Sequence, residues 1–297
     1  MSSNSASIGF MKLLSLKTGA YVKLLKMRLT LLVSFSAAFG YLVTGHSWYS
    51  TEFIWFMLGG FLVIGASNII NQIWEKNTDA LMSRTHQRPL VTGVVSVNEA
   101  IVFTLLLAAT GLGIFVFKFN LNAAFLSLVS LLLYAFAYTP LKIKSPIAVF
   151  VGAIPGALPP MIGWVAATGQ YGWEPGILFA IQFFWQFPHF WAIAWVLDED
   201  YKKAGIKLLP SAGGRDMKTA FNIMIYTLLL IPLGFMPYLI GMTGINSALV
   251  AMVAGILFLA QTFYLMREGT NKAAKLIMFG SFLYLPIVQI AYLLDKI

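Results

Sequence analysis

Residues 53–74 read FIWFMLGGFLVIGASNIINQIW and run directly into Glu75-Lys76-Asn77-Thr78-Asp79. The apolar part carries no charge, and as a helix rising 1.5 Å per residue it reaches about 33 Å, enough to cross the hydrocarbon core of a bilayer. Backbone amides find no water there, so a helix, which pairs them internally, is the form such a run takes. The rest of the chain repeats the pattern. Its 297 residues are 59% hydrophobic and only 10% charged, and comparable runs fall at about 28–44, 53–74, 98–117, 121–141, 146–168, 174–197, 218–241, 246–266 and 274–294. No ten-residue alternation suggests a barrel. The sequence predicts an all-α polytopic membrane protein of about nine transmembrane helices around a central cavity.

Charge sets the orientation. With a cytoplasmic N-terminus, all but Lys118 and Lys296 of the 20 lysines and arginines fall on the cytoplasmic side, as the positive-inside bias requires of an odd number of spans. The net charge of +9 is therefore gathered at one membrane face. Topology accounts for most of it, and the same face could hold an anionic lipid or substrate. Nothing suggests a nucleic-acid partner. The absence of cysteine excludes disulfides, thiolate metal sites and thiol nucleophiles. Residues 1–27 form a separate basic, acid-free segment, with 28–297 as a single transmembrane domain. That segment reads either as a short organellar transit peptide or, over Phe10–Leu29, as an amphipathic interface helix. It lacks a signal-peptide cleavage pattern.

Two longer polar loops, at about 75–97 and 198–217, lie on the basic side. Each opens with acids and continues with bases, and the four spans between them suggest a parallel pseudo-repeat feeding one cavity. In the first, Asn71, Glu75 and Asp79 recur every four residues, so a continuing helix places them on one face at intervals of roughly 6 Å. Such a ladder suits a hard cation. Arg84 and Arg88 follow immediately, and carboxylates beside guanidiniums suit a Mg2+-bound diphosphate; an ordinary solvated loop with ion pairs is the plain alternative. The second loop carries Asp198, Glu199, Asp200, Lys202 and Lys203. Tyr138 and Lys142 lie four apart at the end of the fourth span, where they could share an anion or simply anchor the interface.

His189 lies eleven residues before Asp200, on nearly the same helix face and about 16 Å deeper. A hydrogen-bonded structural histidine is one reading; contact with a porphyrin, or proton transfer, is the other. His46 and His86 have no ligand spacing with it, so no zinc or di-iron site is expected. The fifth span holds Gly152, Pro155, Gly156, Pro159, Pro160 and Gly163, which predicts either close helix packing or a kink that opens room for a bulky substrate. Phe183, Phe184, Trp185, Phe187, Phe190, Trp191 and Trp195 are mostly packing, though aromatic faces near a diphosphate would also stabilise an allylic cation.

These residues resemble the UbiA-type intramembrane prenyltransferases over nearly the whole chain, and among them the heme O synthases, or protoheme IX farnesyltransferases. Asn71, Glu75 and Asp79 fall on the family's first aspartate-rich motif, with Arg84-Thr85 and Arg88-Pro89-Leu90 following. Tyr138-Thr139-Pro140-Leu141-Lys142 resembles its tyrosine-lysine motif, and 156–164 its proline-glycine segment. Pro188-His189-Phe190-Trp191 and the stretch 200–210 are more similar to the heme branch than to the quinone-precursor members. Glu75 and Asn77 stand where aspartates are usual, and Met27 where proline is usual. The resemblance implies farnesyl transfer from farnesyl diphosphate to a vinyl group of heme B. It further implies Mg2+ held by Asn71, Glu75, Asp79, Asp198 and Asp200, diphosphate contacts from Arg84, Arg88, Tyr138, Lys142 and Lys203, and heme contact from His189. A downstream heme-modifying enzyme or terminal-oxidase assembly factors follow on the same ground, while the shortness of the segment before the first span favours a bacterial inner membrane over a mitochondrial one. Prenylation of an aromatic quinone precursor uses the same diphosphate chemistry. A secondary transporter is a reading of another class, which the scarcity of mid-bilayer charge disfavours.

Overall fold

The structure, a computed structural model, describes residues 15–297. Nine long helices carry the chain through the bundle: α1 (Met27–Leu42), α2 (Thr51–Trp74), α3 (Val97–Lys118), α4 (Leu121–Lys144), α5 (Ala148–Thr168), α6 (Trp173–Val196), α7 (Met217–Leu239), α8 (Ile245–Glu268) and α9 (Asn271–Leu294). The last eight are long and apolar enough to span a bilayer. At 16 residues, α1 reaches only about 24 Å. Among the described residues there is no strand beyond one isolated bridge between Thr243 and Lys296. Residues 15–24 are helical, whereas positions 10–14 of the expected interface helix lie outside the described residues. Large side chains such as Leu106, Phe117, Leu257 and Leu283 are exposed on the outside of the bundle, where lipid replaces water.

Local chemistry fixes the ends. Ser50, Asn120, Asp216 and Thr270 each cap a helix by accepting a backbone N–H three residues on, and Ser96 with Glu99 forms a reciprocal capping box at the start of α3. Asp295, just past α9, accepts from Ser247 N at 2.7 Å and so caps α8 from outside. Consecutive helices pack as antiparallel neighbours, α2 on α3 and α7 on α8, while α1 lies on α5 and α6 meets both α7 and α9. The α1–α5 contact is close enough that a Cβ at Gly40 would strike the carbonyl of Pro160, and one at Gly163 the carbonyl of Ala37.

The proline-rich α5 runs on as one helix. Pro159 and Pro160 cannot donate to the carbonyls of Pro155 and Gly156. Neighbours do so instead: Ser130 Oγ lies 3.2 Å from Pro155 O, and Gln182 Nε2 lies 2.8 Å from Gly156 O. The irregular backbone falls in α4, which takes a π-helical course over Leu133–Tyr138. The wider turn carries Tyr134 and Tyr138, and such bulges concentrate at functional sites. Together α1, α2, α4, α5, α6 and α9, with Phe115 of α3, line a largely apolar cavity of about 270 Å³.

Candidate active site

The charged group beside the cavity is built from α2 outward. Asn68, Asn71 and Gln72 are all buried in the last turns of this apolar helix, and a buried amide has to find partners. Gln72 Nε2 donates to Leu24 O at 2.7 Å and Asn68 Nδ2 donates to Thr30 Oγ1 at 3.0 Å, while Thr30 Oγ1 donates to Leu25 O at 2.6 Å. These bonds clamp the turn between residues 15–24 and α1. Lys26, at its apex, has φ of 50°, the only described non-glycine residue with positive φ. That conformation costs roughly 1–2 kcal/mol for an L-residue. It aims the ammonium inward, where Nζ donates to Asn71 Oδ1 at 2.8 Å.

Beyond Trp74 the hydrogen bonding barely breaks. Glu75 N bonds to Asn71 O at 3.0 Å and Asp79 N to Glu75 O at 2.7 Å, so the expected common face persists through the short helix Lys76–Asp79. Three cations meet it. Lys142 Nζ donates to Glu75 Oε1 at 2.7 Å. Arg88 Nη1 pairs with Asp79 Oδ2 and lies 3.8 Å from Glu75 Oε2. Lys26 completes the set. Lys142 also sits over the Tyr138 ring, 4.6 Å from its centre, and a Cβ at Gly152 would strike that ring. The smallness of Gly152 thus gives Tyr138 its place.

Asp79 is 1% exposed, and its Oδ1 has no hydrogen-bond partner among the described residues. A buried, bare carboxylate oxygen invites a ligand, because leaving it unpaired is costly. Burial raises the Asp79 carboxyl above its ordinary range, more than Arg88 lowers it. At Glu75 burial also acts upward, but Lys142 and Lys26 prevail and hold it below the ordinary value. Lys26 is lowered to about 7, first by burial and then by Arg88.

The second acidic group lies at the same end but is occupied differently. Asp200 Oδ1 accepts from Ser83 N at 3.0 Å and Ser83 Oγ at 2.6 Å, and lies 3.3 Å from Lys203 Nζ; Arg84 N reaches its Oδ2 at 3.4 Å. These bonds push Asp200 down to about 2. Asp198 pairs with Lys202 at 2.8 Å and Arg215 at 3.0 Å, and Glu199 pairs with Arg215. Among the described residues no three His, Asp or Glu side chains gather closely enough to hold a metal ion alone. The five expected metal ligands thus divide between two neighbouring groups, tied by the loop that carries both Asp79 and Ser83. Of the expected diphosphate contacts, Arg88, Tyr138 and Lys142 join the first group. Lys203 joins the second, as does Arg84 through its backbone, its side chain being exposed.

The cavity continues inward from Asn68 and Tyr138 past Gln182 and Gln186 to His189, 7% exposed. Lys26 and Ser83 are the residues that sequence reasoning missed. The three buried amides of α2 were the available signal for the first. For Ser83 there was none, since its role depends on a contact across more than a hundred residues.

Comparison with known proteins gives the family. The model of the UbiA prenyltransferase family matches residues 32–285, and the chain belongs to that family. The protoheme IX farnesyltransferase of Cytophaga hutchinsonii is 59% identical over 281 residues, covering 94% of this chain and 98% of its own. That of Christiangramia forsetii is 45% identical, covering 93% of each. Among solved structures, one of a digeranylgeranylglyceryl phosphate synthase is similar, with a TM-score of 0.78 at 22% identity, over 94% of this chain and 98% of that one. A UbiA homolog from Archaeoglobus fulgidus bound to GPP and Mg2+ has a TM-score of 0.62 at 18% identity, over 92% and 99%. The chain is a multi-pass membrane protein and a prenyltransferase.

Proposed function

We propose that this chain transfers the farnesyl group of farnesyl diphosphate to a vinyl group of heme B, giving heme O, in a bacterial inner membrane. The observation that carries the reading is the bare Asp79 Oδ1 beside Arg88, Lys142 and Lys26, a charged group joined through the Lys142–Tyr138 contact to an apolar cavity that His189 also lines. The relatives named above supply the choice of donor and acceptor. Asn71, Glu75 and Asp79 are the residues that would hold Mg2+, with Asp198 and Asp200 contributing from the second loop. Amide and carboxylate oxygens suit this ion, which leaves its remaining positions to phosphate and water. When bound, it supplies Lewis-acid stabilisation of the departing diphosphate.

The protein's own groups do the rest. Arg88, Lys142 and Lys26 surround the leaving group with positive charge, fixed in place before the reaction. The allylic C–O bond breaks with its electron pair going to diphosphate. The vinyl π electrons of heme form the new C–C bond, and water adds to the resulting cation with loss of a proton. Tyr134 and Tyr138, both lining the cavity, offer ring faces to the allylic cation. The apolar walls keep bulk water from it until the C–C bond has formed. Arg84 and Lys203, on the rim, meet the incoming anion first. His189 contacts the porphyrin.

Purified protein incubated with labelled farnesyl diphosphate, Mg2+ and either heme B or an aromatic acid tests the reading. Labelled heme O should appear with heme alone. Prenylation of the aromatic acid only, or of neither acceptor, would refute it.

A further inference from the structure

The two ring nitrogens of His189 have unlike surroundings. Nδ1 lies 2.8 Å from Ser281 Oγ on α9. That hydroxyl has one proton and gives it to the carbonyl of Met278 at 2.6 Å, so towards the imidazole it can only accept. Nδ1 therefore carries the ring proton and Nε2 keeps a lone pair. Nε2 has no hydrogen-bond partner among the described residues, and His189 lines the cavity.

The ring is also held against rotation. Trp185 stacks on it with centroids 4.5 Å apart and planes 17° from parallel, while Phe190 and Phe282 meet it edgewise at 5.2 and 4.9 Å. The Trp185 indole N–H donates to the carbonyl of Ser281 at 2.9 Å, so the stacking partner and the hydrogen-bond partner are themselves joined. A histidine that served packing alone need leave neither nitrogen open, whereas Nε2 is not fully buried and stays reachable from the cavity. Here one nitrogen is satisfied and the ring immobilised for the other. A protein-held imidazole metal ligand has the same design: the distal N–H on an acceptor fixes tautomer and orientation. Among the described residues no three His, Asp or Glu side chains gather into a site of protein ligands. The metal that fits has to bring its other ligands with it, as porphyrin iron does.

We infer that Ser281 holds His189 as the Nδ1–H tautomer so that Nε2 binds the iron of the acceptor heme. The inference rests on heme being the acceptor. His189 is then the anchor of the porphyrin inside the bundle, and Ser281 is a positioning residue that acts through it. An iron bond fixes the centre of a flat, nearly four-fold substrate that apolar walls alone would leave free to slide. A vinyl edge can then be presented repeatedly to the same end of the cavity.

The test uses the purified full chain and ferrous heme B without farnesyl diphosphate, so that no transfer occurs, with resonance Raman and absorption spectra as readouts. The wild type should show an iron–histidine stretch. His189→Ala should lose it, and added imidazole should restore an iron–nitrogen band. Ser281→Ala should keep the band at a shifted frequency and bind heme about 10-fold more weakly, the low end of what lost outer-shell partners cost metal sites. Ser281→Thr should restore both. An unchanged spectrum of heme bound to His189→Ala overturns the inference while leaving heme as the acceptor. Wild-type protein that binds no heme overturns that reading and the inference with it. Should His189→Ala fail to fold, an unshifted band and unchanged affinity in Ser281→Ala would overturn the role of Ser281 and the tautomer argument on which ligation stands.

Discussion

The acidic group at the end of α2 and the one at the end of α6 differ in what their oxygens lack. Asp79 and Glu75 are buried, and the cations that face them come from three other places in the chain: the turn before α1, the loop after α2 and the end of α4. One carboxylate oxygen is still bare. Asp198, Glu199 and Asp200 are instead matched by Lys202 and Lys203 on the same helical turn, by Arg215 shortly after it and, from the other loop, by Ser83. A buried surplus of anion and cation that do not fully cancel one another is a binding site held ready. A half-buried set of matched pairs whose cations reach water is a clasp, and pairs open to water contribute little individually. On this contrast the proposed diphosphate chemistry falls mainly to the first group, and the second ties together the two loops at that end.

The strongest way to break this assignment is Asp79→Asn. It keeps the shape of the side chain and removes the charge, so we expect Mg2+-dependent turnover to fall by roughly 10²–10³-fold, the effect of losing a preorganised electrostatic contact at developing charge. Heme binding, measured by absorption titration, should be nearly unchanged. Equal losses in both would mean that the pocket had collapsed. Next in size is Arg88→Lys. The guanidinium serves Asp79 and Glu75 together, whereas an ammonium has no planar fork. KM for farnesyl diphosphate should rise on the order of 10- to 100-fold, as for a lost hydrogen bond between charged groups.

How far this contrast was legible from residues alone follows from the range of the forces involved. The apolar runs and the one-sided lysines reveal spans and topology because lipid acts on each helix separately. The register of Asn71, Glu75 and Asp79 is a property of one helix, and the face survives the break at Trp74. The apparent likeness of the two loops misleads in a physical sense, since equal charge patterns can be buried or solvated depending on what packs over them. Lys26 hid among several lysines that serve topology. Only the clamp from Gln72 and Asn68 singles it out. The proline-rich α5 invited a kink, yet side chains of α4 and α6 supply the donors that the prolines lack, and the irregular turn appears in α4 just before Pro140, whose ring and missing N–H disturb the turn that precedes it.

Lys26 offers a finer test. Its amine is lowered to about 7, burial being the larger cause and Arg88 the next, so near neutral pH it is part charged and part neutral. An arriving diphosphate stabilises the charged form and draws a proton onto it. Affinity for farnesyl diphosphate should therefore be greatest below pH 7 and weaken as pH rises through that value. Lys26→Met should raise KM about 10-fold at pH 6.5, an effect sized to one charge-assisted hydrogen bond, and should flatten the slope of KM against pH above 7. A slope that persists in the variant would assign the proton to another group.

The smallest effect belongs to the clasp. Asp200→Asn keeps an oxygen that can accept from Ser83 but loses the ionic part, and we expect turnover to fall by only about two- to fivefold, as for an exposed pair, with the loss shrinking in high salt. A folded-state acid held down to about 2 contributes stability that is present above the ordinary carboxylate range and is lost as pH falls from about 4 towards 2. Thermal midpoints of wild type and variant should thus differ at neutral pH and converge on acidification through that window. A loss as large as that of Asp79→Asn, with midpoints equal throughout, would mean that Asp200 leaves Ser83 to join the metal, and the two acidic groups would then be partners in one task and not a site and its clasp.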